Sequence, residues 1–322
     1  MAPLPGIRDE EGGTGADADA DVNVEHDSAS DARTTPDSGS DVRVPDPAWA
    51  SWRVPPAVEP KYDLVAGIAR DKVSGLEWQR VSGAPANWET GRQYCENLEL
   101  GGFTDWRLPT RIEATSLVDF RTPRPYFHPY APQFLDPEAN CMWTISTEFA
   151  EASHWIIALS DGRAVVSPSD DQECAARCVR GTPYDFRKNA PPDYVIENGT
   201  VRDPSTRLEW QAHEPARAGK FVGIDTAEQY CSGLRLLGRS DWRLPTVKEL
   251  ATLIDERRAH PAFDPRVAGE SHFYWSSTVY ETEADGGRVG WRVSFVDGIM
   301  EPSNEPELFD VGIALVRCVR DY

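Results

Sequence analysis

The chain is predicted to be an α+β fold in two tandem copies, each with two helices followed by a small antiparallel sheet and stapled by disulfides. Three observations predict this. The string Asp105-Trp106-Arg107-Leu108-Pro109-Thr110 returns as Asp241-Trp242-Arg243-Leu244-Pro245-Thr246. Within each copy, apolar residues at helical spacing precede apolar runs bounded by turn residues. Four of the six cysteines hold matching places in the two copies.

The match extends well beyond the central string. Trp78-Gln79 corresponds to Trp210-Gln211, Tyr94-Cys95 to Tyr230-Cys231, Trp143 to Trp275, and Trp155 to Trp291. Asp161-Gly162 corresponds to Asp297-Gly298, and Arg177-Cys178-Val179-Arg180 to Arg317-Cys318-Val319-Arg320. A period this long, far above the roughly 20–50 residues of solenoid repeats, predicts independent domains. The expected division is a tether over 1–46, a proline-rich linker over 47–62, module 1 over 63–182 and module 2 over 183–322.

The tether carries 12 acidic residues and 3 arginines with little to bury, so it is expected to be disordered. The linker contains Pro47, Pro55, Pro56 and Pro60 and reads as extended. Each module then opens with a hairpin, Ala69–Asp71 with Leu76–Gln79 and Val201–Asp203 with Leu208–Gln211. Trp88, Gly91, Tyr94, Cys95 and Leu98 mark one face of a first helix. Ala227, Tyr230, Cys231 and Leu234 do the same in module 2, where Asp225 is the expected cap. A second helix begins at Thr110 with Glu113, and again at Thr246 with Glu249, each pair a capping box directly after a proline. Short strands follow at Trp143–Thr147 and Trp275–Thr278. Asp161-Gly162 and Asp297-Gly298 supply hairpin turns, and closing strands lie at Cys178-Val179 and Cys318-Val319.

The simplest cysteine pairing is Cys95–Cys178 and Cys231–Cys318, one long staple per module, with Cys141–Cys174 left to pair in module 1. The competing reading is a metal site from Cys141, Cys174, Cys178 and His154, but zinc favours short paired spacings that these residues lack. Disulfides place the chain in an oxidising compartment. No signal peptide is visible at Met1, which taken literally means cytoplasm; the tether and the cysteines point outside it. No apolar run is long enough to span a membrane. A net charge of −20 disfavours nucleic acid, anionic membrane and sulfated polymers as partners.

The ordered set of these motifs resembles the C-terminal domain of the Legionella collagen-like adhesin, a bacterial domain often found in tandem. The resemblance covers both copies nearly end to end. It implies a C-type-lectin-like fold, a secreted or cell-surface location, and binding of an extracellular glycan or adhesion. An envelope protein is the alternative partner. The string R-L-P-T-x-x-E also resembles formylglycine-generating enzymes, which implies a copper-dependent oxidase as a further alternative.

Candidate ligand-binding residues are the acidic stretches before the last cysteines. Module 2 offers Glu301, Asn304, Glu305 and Glu307, and module 1 offers Asp170 and Asp171. Oxygen-rich loops can hold Ca2+, but the Glu-Pro-Asn order of calcium-dependent lectins is displaced here and its Trp-Asn-Asp partner is missing. No cofactor or resident metal is expected. The shared tryptophans, Trp106 and Trp242 included, read as core, and Arg107 and Arg243 as braces pairing with Asp105, Asp241 or backbone carbonyls. No nucleophile, zinc-protease or phosphate-loop motif is present, so catalysis is not expected.

Overall fold

The computed structural model describes residues 62–72, 74–120, 139–148, 153–181, 193–212, 223–256, 258, 260–267, 269–281, 288–303 and 314–322. The tether and the linker up to residue 61 lie outside them.

Module 1 opens with β1 (Tyr62–Val65), β2 (Ile68–Asp71) and β3 (Glu77–Gln79), an antiparallel meander. The turn joining β1 to β2 is Ala66-Gly67, with both residues at positive φ, a geometry that glycine tolerates without strain. Module 2 repeats this as β8 (Val195–Glu197), β9 (Thr200–Asp203) and β10 (Leu208–Gln211), turning at Asn198-Gly199. The sequence reading omitted β1 and β8, although Asn-Gly is a strong hairpin signal.

Helix α1 (Trp88–Glu96) is capped by Asn87, whose side chain accepts from the Thr90 N–H. Its buried side carries Gly91 and Cys95. Helix α2 (Arg111–Ser116) starts at the Thr110–Glu113 capping box. Helix α3 (Ile224–Gly233) is capped by Gly223, not by Asp225 as expected. Asp225 sits inside the first turn and pairs instead with Arg288 at 3.0 Å. Helix α4 (Val247–Ala251) repeats the capping box with Thr246 and Glu249.

The remaining strands of module 1 are β4 (Cys141–Thr147), β5 (His154–Ala158), β6 (Ala164–Val166) and β7 (Val179–Arg180). Module 2 supplies β11 (Phe273–Glu281), β12 (Arg288–Ser294), β13 (Met300–Pro302) and β14 (Val319–Asp321). β7 and β14 return to β3 and β10, giving each module a four-stranded sheet.

The independence expected of the two modules does not hold. β4, β5 and β6 join β13, β12 and β11 in one six-stranded sheet. The seam pairs Met300 with Ala164. These two residues occupy equivalent places in the repeat, so the junction is a local two-fold, the self-complementary geometry of an isologous interface. One apolar cluster crosses it, containing Trp78, Phe120 and Ile157 of module 1 with Trp210, Leu253 and Trp291 of module 2. Side chains across the seam are not symmetric. Arg111, almost fully buried, donates to Glu256 at 2.7 Å and to the Gly298 carbonyl at 3.3 Å. Lys248 reaches back to the Ser116 carbonyl at 3.3 Å. A smaller cluster per module packs the first helix on its disulfide.

Gly298 has a φ of 84°, and a Cβ there would lie 2.8 Å from Ile254 and 3.5 Å from Trp155 across the seam. Gly298→Ala is therefore expected to lower stability by about 1–3 kcal/mol, read by urea unfolding.

Candidate functional site

All six cysteines are bridged as Cys95–Cys178, Cys231–Cys318 and Cys141–Cys174. The metal reading of Cys141, Cys174 and Cys178 is thereby replaced. Each long staple ties the first helix to the closing strand over 83 or 87 residues. In the chain-entropy model such a loop contributes about 4–5 kcal/mol.

The repeated motif folds into a brace. Arg107 donates both terminal nitrogens to Glu113 at 2.8 Å, and Arg243 does the same to Glu249 at 2.7 Å. The same carboxylate closes the capping box by accepting from the Thr110 or Thr246 N–H at 2.8 Å. Of the expected partners, a backbone carbonyl is found for Arg107, that of Leu108 at 3.2 Å, while the pairing of Arg107 and Arg243 with Asp105 and Asp241 is corrected to Glu113 and Glu249. The buried Glu is planar, charged and within fork reach, whereas the aspartates point to a different arginine. Asp105 takes Arg180 at 2.7 Å and Asp241 takes Arg320 at 2.9 Å. Arg180 and Arg320 also pair with Glu77 and Glu209.

Four carboxylates in these networks lie below their ordinary range. Burial works against ionisation of Glu77 and Glu209, but Arg70 with Arg180, and Arg320 with Thr200 and Arg202, outweigh it. Asp105 and Asp241 are lowered chiefly by their hydrogen bonds from Arg180 and Arg320.

Arg177 and Arg317 are buried too and hold backbone carbonyls, Arg177 those of Gln79 and Arg80 at 2.9 and 2.8 Å. Trp106, Trp155, Trp242 and Trp291 are at most 3 % exposed, so none offers a face to a ligand.

What both copies share is therefore scaffold, and the candidate site is sought where they differ. Trp88 is partly buried, the one described tryptophan outside the fully buried set. Its indole stacks on the His154 imidazole with centroids 3.6 Å apart and planes 13° apart. Its Nε1 donates to the Thr144 carbonyl at 2.9 Å, and the Arg92 guanidinium lies 5.8 Å from the ring centre. His154 Nδ1 meets Asp170 Oδ2 at 2.8 Å. The Asp170 carboxylate only accepts, so Nδ1 carries a proton, and in the neutral imidazole Nε2 is the acceptor. Asp170 Oδ1 accepts the His154 N–H at 3.2 Å, and its carbonyl accepts the Trp88 N–H at 2.9 Å.

The loop that carries Asp170 is fixed along its length. Ser167 Oγ donates to the Ser169 carbonyl at 2.7 Å, Gln172 Nε2 lies 3.2 Å from the Cys141 sulfur, and the Cys141–Cys174 bridge closes the end. Ser169, Asp171 and Glu173 remain exposed at its crest.

Module 2 is built otherwise. Ile224 stands in the place of Trp88, Gly290 in that of His154, and Phe273 and Ala314 in those of the third bridge. Glu301 is occupied by Arg292 at 2.7 Å. Asn304, Glu305 and Glu307 lie outside the described residues. Among the described residues no cluster of three metal-ligating side chains occurs, and no helix is long and apolar enough to cross a membrane. Sequence reasoning named Asp170 and Asp171 but not Trp88 as site residues. His154 entered only as a metal ligand. Their signal was the absence of a counterpart in the other copy.

Two outcomes follow from the brace. Glu113→Ala removes the cap and strands a partly buried guanidinium, and is expected to cost about 3 kcal/mol in urea unfolding. Carboxylates whose folded values are lowered stabilise above the ordinary range, and that share is lost as pH falls through the folded values. Stability is therefore expected to hold from pH 7 to about 5 and to decline below about 4. The decline should be shallower in Arg180→Gln, as measured by unfolding midpoints across that range.

No curated relative matches the chain. The model of the Lcl C-terminal domain matches it twice, over residues 67–180 and 199–320, which span both modules from the first hairpin to the closing strand. The chain is a tandem member of the Lcl C-terminal domain family, a bacterial surface-associated domain.

Proposed function

We propose that the chain works outside the cytoplasm as a binding protein that recognises an extracellular glycan. The observation that carries this reading is the loop Ser167–Cys174 of module 1. It is held by a bridge absent from module 2 and by a buried hydrogen-bonded histidine, while its crest of Ser169, Asp171 and Glu173 stays exposed. Rigid polar loops reduce the ordering cost of binding. Three bridges and the family support a location outside the reducing cytosol. The staple from first helix to closing strand supports kinship with C-type-lectin-like folds, a reading by analogy.

A second reading, docking to an envelope protein, is favoured by the outer strands β1 and β8. They leave Leu64, Val65, Val195 and Ile196 at least 39 % exposed on strands that, among the described residues, are the outer ones of their sheets. Either reading makes the role one of binding; the oxidase alternative would need free thiols at Cys141 and Cys174, which are bridged here.

A glycan array with purified protein, run with calcium and with a chelator, is the test. Binding is expected in both arms, because Asp170 and Glu301 already serve His154 and Arg292. Failure to bind any carbohydrate, with capture of an envelope protein from extracts, would move the assignment to the second reading.

A further inference from the structure

We infer that Trp88 and His154 form the ligand-contacting centre of module 1, and that its ligand is a donor-rich glycan, uncharged or amine-bearing. The inference rests on the glycan-binding reading and adds where the ligand sits and what chemistry it must have.

The fold itself does not need the pair. At the same place in module 2, Ile224 and Gly290 fill the space with hydrocarbon. A Cβ on Gly290 would lie 3.0 Å from Ile224 Cδ1 and 2.9 Å from the Trp275 ring, so the isoleucine takes up the room a side chain there would need. Both solutions rest on an equivalent fully buried tryptophan, Trp143 or Trp275. Replacing a buried hydrogen-bonded polar set with well-packed apolar groups is commonly neutral or stabilising. Module 1 nevertheless keeps an imidazole, an indole and a carboxylate in contact, and adds a disulfide to the loop that holds the carboxylate.

The geometry also defines what is left to bind. Asp170 occupies Nδ1 and so fixes the orientation of the ring. Among the described residues nothing hydrogen-bonds Nε2, although His154 is about nine-tenths buried, with 10 % of its side chain accessible. An acceptor fixed in direction at the base of a stacked indole selects hydroxyl or amine donors. Asp171 and Glu173 are exposed on the loop that carries Asp170, and Glu89, on the helix that carries Trp88, is paired with Arg92. With the chain's net charge of −20 this disfavours sulfated or carboxylated polymers. Hydroxyl and amino sugars satisfy both conditions.

The test transplants module 2's own solution. Trp88→Ile with His154→Gly is compared with wild type, alongside His154→Gln, which preserves side-chain size. Binding is measured by calorimetry with chitohexaose as the uncharged probe, its deacetylated form as the amine-bearing probe and a heparin hexasaccharide as the polyanion. Intact bridges and an unchanged melting temperature certify folding. In parallel, the imidazole Nε2 resonance of His154 is followed in the wild-type protein during titration, which reports contact whether or not either variant folds. At least a tenfold loss of chitohexaose or deacetylated-probe binding in the double variant is expected, with a smaller loss in His154→Gln and a shift of the Nε2 resonance on saturation. The inference is overturned if wild type binds a glycan while the folded double variant binds it equally, if Nε2 does not respond at saturation, or if heparin is preferred. Wild type that binds no carbohydrate on the array overturns the glycan reading itself, and this inference with it.

Discussion

A single carboxylate in each module, Glu113 or Glu249, holds three parts of the fold in register. It neutralises the arginine of the repeated motif, closes the cap of the second helix, and does both while 1 % exposed. The arginine's own backbone pairs with the closing strand, Arg107 with Val179 and Arg243 with Val319. That strand begins beside the cysteine bridged to the first helix. Helix, strand and staple are therefore fixed relative to one another by one fork of hydrogen bonds. A buried carboxylate missing its arginine would be a large liability, and an arginine missing its carboxylate would leave a half-buried charge. The planar guanidinium and the carboxylate meet in a two-bond fork, a geometry that a lysine in the arginine's place would not supply.

On this scaffold the two copies are joined at their sheets. Pairing Met300 with Ala164 removes two free strand edges at once. Burying Trp291 against Phe120, and Arg111 against Glu256 and Trp155, gives the seam a core that neither module has alone. Since the strand pairing is symmetric and the side chains across it are not, the copies have diverged while keeping the junction. The same divergence reaches the surface. Module 1 retains a polar, bridged loop over His154, and module 2 has replaced its buried part with isoleucine and glycine. Their scaffold is common, but the side chains they place beside the first helix are not.

What could be read from residues alone was local. The capping boxes, the Asp-Gly turns and the cysteine pairs each depend on residues near in sequence or matched between copies, and they form as read. The carboxylate partner of Arg107 was not legible because Asp105 and Glu113 are both near it in sequence, and only the helix start brings Glu113 into the fork, whereas its bond to a backbone carbonyl forms as read. The cap of α3 was misread because glycine caps without a side chain. The seam left no pattern, since one backbone pair and a few long side chains create it. Trp88, His154 and Asp170 converge from three separate elements, and matching one copy to the other selects against residues that only one copy possesses.

Calorimetric unfolding of the bridged chain tests most directly whether the two copies are one folded body. The shared sheet and core predict a single transition in which the calorimetric and van't Hoff enthalpies agree. Two separable transitions, each assignable to one module, would contradict it.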